Sequence, residues 1–168
     1  MSSAGNAITP PTNPTIANFT LVGARTNAFR INSGHVGRFL NGVVSYGAPC
    51  FRWESSAGNN TPASYDGVNV DPTFNSVLFD CTALTNDTPD TPAAVGSVGA
   101  DANNTTAVMD TLISTFINGT AESNVTAFDL TTLPGTFFDD VDYIGAVEDA
   151  NDRWWAGWSC GLEASTPC

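Results

Sequence analysis

The chain has 168 residues, 42% of them apolar, which is enough for one domain with a substantial core. Its net charge of −12, with five Arg as the only formal cations and no Lys or Gln, excludes nucleic acid and anionic membrane surfaces as partners, since both call for basic patches. No stretch approaches the roughly 20 apolar residues of a membrane span, so no membrane insertion is expected. Charged residues are only 13%, about half the usual share, so the polar surface must come from Thr, Asn, Ser and Gly. That composition favours strands and turns over helix, because Thr is β-branched and Asn and Gly tolerate left-handed backbone.

Residues 1–15, with Pro10, Pro11 and Pro14, read as an extended Pro/Thr/Asn-rich arm. The remainder, 16–168, reads as a single mostly β domain. Short strands are predicted at Ile16–Val22, Ala28–Ile31, Arg38–Ser45 and Cys50–Glu54, punctuated by Gly23, Gly34, Gly37, Gly42 and Gly47. These runs echo one another. Phe29-Arg30-Ile31 returns as Phe51-Arg52-Trp53, an offset of 51 − 29 = 22, and Asn18 returns as Asn41, an offset of 41 − 18 = 23. A period in the low twenties built from short β-type runs suggests stacked coils of a β-solenoid.

A polar loop follows over 56–73, then another strand at Ser76–Cys81. Residues 82–105, rich in Thr, Asp, Pro and small side chains, read as a long loop leaving the solenoid body. Val108, Leu112, Ile113, Phe116 and Ile117 fit a short helix by spacing, although Thr and Ile also suit a strand. Val125–Leu130 is a further strand candidate, ended by Pro134-Gly135. The tail, 137–168, holds three of the four Trp within five residues and is expected to form an aromatic C-terminal cap over the last coil.

Four cysteines allow three pairings, and none has the C-x-x-C spacing of a zinc or redox site. Sequence proximity favours Cys50–Cys81 and Cys160–Cys168, which would place the chain in an oxidising compartment.

His35, the single histidine, lies in a Gly-rich turn with no nucleophile motif beside it, and reads as a turn residue. Asp139, Asp140 and Asp142 could pair as acid and base on a polysaccharide, with Arg30 and Arg52 stacked to receive a sugar carboxylate. In an extended run Asp140 and Asp142 share a face and Asp139 takes the other. Asp66, Asn69 and Asp71 offer alternating oxygens for Ca²⁺, as does Asp149-Ala150-Asn151-Asp152, although both runs also suit Asx turns. Trp154, Trp155 and Trp158 offer rings on which a sugar could stack; the first two point to opposite sides of an extended chain, so at least one belongs to the core.

The segment FRINSGHVGRFLNGVV and the tail TFFDDVDYIGAVEDANDRWWAGWSC resemble the C-terminal parts of large secreted proteins of Gram-negative bacteria, described as surface proteins or lipoproteins. The likeness covers about the first third and last fifth of the chain and is most specific in the tail. It implies a right-handed parallel β-helix-like body, export, a surface role, and a chain that is the C-terminal piece of something longer. No catalytic residues carry over from that resemblance.

The sequence therefore leads us to expect a non-enzymatic structural or adhesive domain outside the cell or on the bacterial outer surface. It would require no cofactor, would assemble as a homo-oligomer or filament, and would contact surface glycans. Two alternatives belong to other classes: a β-helix polysaccharide lyase or hydrolase, and a calcium-dependent carbohydrate-binding module.

Overall fold

The computed structural model describes residues 13–31, 37–53, 72–85, 103–135, 137–157 and 159–160. Among them five strands follow one another: β1 (Thr15–Gly23), β2 (Phe29–Ile31), β3 (Arg38–Tyr46), β4 (Phe51–Trp53) and β5 (Thr73–Cys81). The odd-numbered strands form one parallel sheet in the order β1-β3-β5, and the even-numbered strands form a second, β2-β4. The two echoes in the sequence are the two registers. Ile16 pairs with Phe39 at an offset of 23, and Phe29-Arg30-Ile31 pairs with Phe51-Arg52-Trp53 at an offset of 22.

Between the sheets, phenylalanine rings stack in two columns. Phe29 lies on Phe51 at 5.3 Å, and Phe39 lies on Phe74 at 4.9 Å. The columns meet edge to face, Phe29 against Phe39 at 5.2 Å and Phe51 against Phe74 at 5.1 Å. All four rings are buried, each contributing about 1.5–3 kcal/mol by leaving water. The disulfide Cys50–Cys81 ties the start of β4 to the end of β5, with a Cα–Cα distance of 5.5 Å across 31 residues. On the loop-entropy account a closure of that length is worth about 3–4 kcal/mol.

The long strands are bent. Asn18, Asn41 and Ser76 have φ of +50°, +53° and +56°, and the flanking registers place them side by side as one column across β1, β3 and β5. Asn is among the few non-Gly residues that enter this left-handed region readily. Beyond the bend, adjacent residues face opposite ways into two cores. Val44 joins the phenylalanine core, while Val43 and Leu78 join Ile144 in a second one with Leu112 and Val125. Two-sided burial explains why β3 and β5 read as continuous apolar runs.

The described residues after β5 make few regular elements. Thr105 forms a parallel bridge with Leu78 at the outer edge of β5, and the Asn104 amide donates to the Phe74 carbonyl at 2.8 Å and accepts from Val77 N–H at 3.0 Å. Thr85 bridges to Phe51 beside β4. The helix expected over 108–117 is absent. Ile113 and Ile117 instead pair across a tight turn at Ser114 and Thr115, both with positive φ, and a one-turn helix α1 forms at Thr120–Ser123. Val125–Leu130 is not a strand, because the Asn41 side chain, and no neighbouring strand, satisfies the Phe128 backbone. A short 3-10 turn follows at Leu130–Thr132.

The fold is thus mostly β with parallel sheets, and the described residues do not by themselves close a solenoid. Among them, no helix is long and apolar enough to cross a membrane.

Candidate functional site

The edge of β5 is taken by Asn104 and Thr105, and not by the described residues of the tail. The tail crosses the bend column instead. Asn18 Nδ2 donates to the Tyr143 carbonyl at 2.9 Å, Gly145 N–H donates to the Asn41 carbonyl at 2.9 Å, and Ala146 N–H donates to Thr20 Oγ1 at 2.9 Å. Asn118 adds a bond to the Ile144 carbonyl at 2.6 Å. Gly145 is required for this close approach: its φ is +81°, and a Cβ there would lie 2.6 Å from Asn118 Oδ1.

Where the tail passes Asn18 it borders a cavity of about 260 Å³ whose lining includes Phe137, Phe138, Asp139, Tyr143 and Trp154. Trp154 is 56% exposed and Phe137 88%, so both rings are available to a ligand. The indole of Trp154 is nevertheless held, since its Nε1–H donates to the Ala146 carbonyl at 2.8 Å and its ring meets Trp155 edge-on at 6.1 Å. Trp155 is the anchor, 4% exposed and edge-on to Phe116 at 5.4 Å. Phe137 and Phe138 are themselves perpendicular at 5.0 Å.

The electrostatics of this corner are negative. The Tyr143 hydroxyl is pushed above its ordinary pKa by burial first, then by the charges of Asp152 and Glu148, a hydrogen bond to Asp152, and Asp139. Asp149 is held below the usual carboxylate range by the backbone N–H groups of Asn151 and Asp152, which reach Oδ1 at 2.7 and 3.1 Å. That geometry is an Asx turn. Among the described residues, no group of three His, Cys, Asp or Glu could hold a metal ion.

The other sequence candidates are dispersed. Asp140 and Asp142 line a different cavity, of about 390 Å³, with Asp129 and Phe128. Their separation from Asp139 follows the alternation expected of an extended run, although 139–142 forms no strand. Arg30 and Arg52 are exposed and in register on the β2-β4 pair, and neither lines the two cavities that hold the acids. Cys160 is disulfide-bonded. Cys168, Trp158, His35, and the calcium candidates Asp66, Asn69 and Asp71 lie outside the described residues.

A larger groove of about 560 Å³ runs along the ends of β1, β3 and β5 past Val22, Tyr46 and Asp80, and among the described residues it gathers one aromatic ring. The smaller cavity is the better site because it gathers four. Of the residues lining it, sequence reading singled out Trp154 as a sugar-stacking candidate and Asp139 as a candidate acid, but not Phe137, Phe138, Tyr143 or Asn18. The aromatic pair beside the acidic run was a usable signal; the contribution of Asn18 depends on the tail returning across 125 residues. In comparisons with known proteins, the chain matches no family model, no curated protein and no solved structure.

Proposed function

We propose that this chain is a non-enzymatic, exported domain of the parallel β-helix type that serves adhesion at the cell surface by binding glycans in the Trp154 cavity. Support for the scaffold comes from the two parallel sheets filled by alternate strands, the column of left-handed residues and the stacked phenylalanines. The Cys50–Cys81 disulfide accords with an oxidising exterior.

The observation that carries the binding reading is the convergence of Phe137, Phe138, Tyr143 and Trp154 on one cavity with Asp139. Aromatic faces cover the apolar C–H side of a pyranose, and a carboxylate accepts charge-assisted hydrogen bonds from its hydroxyls. The hydrolase alternative is less well supported. That reading joins the acids to Arg30 and Arg52 at one substrate, whereas both arginines lie on the β2-β4 pair and line neither the cavity of Asp139 nor that of Asp140 and Asp142. A glycan array tests the proposal. Wild type should bind a subset of spots and Trp154→Ala should lose them; equal binding by both proteins, or none by wild type, would defeat it.

Self-association is a second reading, favoured by the position of β1. Among the described residues β1 pairs only with β3, and none of its residues is fully buried. An unpaired strand edge is a template for another chain. Sedimentation velocity across a hundredfold concentration range should show growing species; a constant monomer would end that reading.

A further inference from the structure

From the charge distribution around the cavity we infer that its ligand is an amino sugar with a free, protonated amine, rather than a neutral or acidic sugar. This rests on the reading of the Trp154 cavity as a glycan site.

Among the described residues, the cavity lining holds one charged side chain, Asp139, and no cation. Behind it, Tyr143 faces the carboxylates of Asp152 and Glu148, which together with Asp139 act on its hydroxyl. Asp140 and Asp142 line the neighbouring cavity, adding the same sign. Arg38 lies across Phe138 in an adjoining cavity, and Arg153, though next in sequence to Trp154, does not line this one. A uronate or sialic acid entering here would bring its carboxylate toward that of Asp139 and be repelled. An ammonium group gains twice. It donates to the Asp139 carboxylate and rests against the faces of Trp154, Tyr143 or the phenylalanines, whose quadrupoles attract cations at this range. Of the ring types present, Trp is the strongest such partner, and its indole is the one held in place from behind by Ala146 and Trp155. The stem of the sugar keeps the stacking contact that any pyranose would make.

The test is calorimetric titration of the full chain with three trisaccharides at matched salt: glucosamine trimer, its N-acetylated form and cellotriose. The glucosamine trimer should bind about tenfold more tightly than the other two. Asp139→Asn should erase that preference while leaving the weaker shared affinity, and Trp154→Ala should weaken all three. Equal binding of the three sugars, or a preference for the N-acetylated one, overturns the inference but leaves the glycan site standing. Glucosamine binding that survives both Trp154→Ala and Phe137→Ala would be diffuse attraction to an acidic protein, and also overturns it. Failure of every sugar to bind removes the site itself. Both rings are exposed, so the variants should retain the wild-type circular dichroism.

Discussion

The side chain of Asn41 and the backbone of Phe128 close a paired hydrogen bond across 87 residues, Nδ2–H to the carbonyl at 3.1 Å and N–H to Oδ1 at 2.7 Å. Asn41 is fully buried and left-handed, so one residue bends β3 and anchors the segment at Phe128. Replacing it by Ala strands both Phe128 groups and puts a Cβ-bearing residue with no local hydrogen bond at φ +53°. Asn41→Ala should lower the unfolding free energy by about 2–4 kcal/mol in urea titration. A loss within error would mean that the bend does not depend on this amide.

Gly42 lies opposite Phe19 in the β1-β3 register, and a Cβ there would fall 2.2 Å from Phe19 Cζ. Gly42→Ala should destabilise by about 1–3 kcal/mol through overpacking. Phe19→Leu should recover much of that in the double variant, since coupling between touching residues is non-additive. Thermal unfolding of the four proteins completes the cycle, and strict additivity would contradict the contact.

Glu122 is 1% exposed, and its carboxylate accepts from Thr111 N–H, Thr111 Oγ1 and Gly119 N–H, each at 2.8 Å. Through these donors it holds the start of α1 against the 110–112 segment. Glu122→Gln turns one acceptor into a donor facing donors and should cost about 2–3 kcal/mol in chemical denaturation. An isoenergetic variant would show that those donors have other partners.

Tyr143 gives a pH dependence with a definite sign. Its folded pKa lies above the ordinary 10.0, so the folded chain holds this proton after the unfolded chain has lost it. The stability it contributes is complete below that ordinary value and is lost as pH rises through the folded pKa. Denaturation midpoints followed across that interval should fall more steeply for wild type than for Tyr143→Phe. Identical slopes would place the hydroxyl in ordinary solvent.

Much of the scaffold was legible because it repeats. Ile16 and Phe39, or Phe29 and Phe51, match in type and spacing, and parallel stacking converts a sequence offset directly into a register. The second half was not legible, because its order is borrowed. Residues 104–147 use side-chain amides of Asn18, Asn41, Asn104 and Asn118 where strands would use backbone partners, so hydrophobic period carries no record of them. The helix expected at Val108–Ile117 failed for that reason: Asp110 bonds to Ser45 and Asp80, which pins the segment to the sheet in a non-helical path. At the site, Trp154 and Trp155 divide between surface and core as their adjacency suggested. The approach of Phe137, Phe138 and Tyr143 to Asn18 is a tertiary fact that no local pattern encodes.

The central claim is that ligands enter beside Trp154, and residue-resolved NMR locates them directly. With saturating glucosamine trimer, the indole N–H of Trp154 and the amides of Phe138, Asp139 and Tyr143 should shift together, while the buried indole of Trp155 and the amides of Arg30 and Arg52 stay in place. Shifts centred on the β2-β4 face, or a spectrum unchanged by the sugar, would contradict the account.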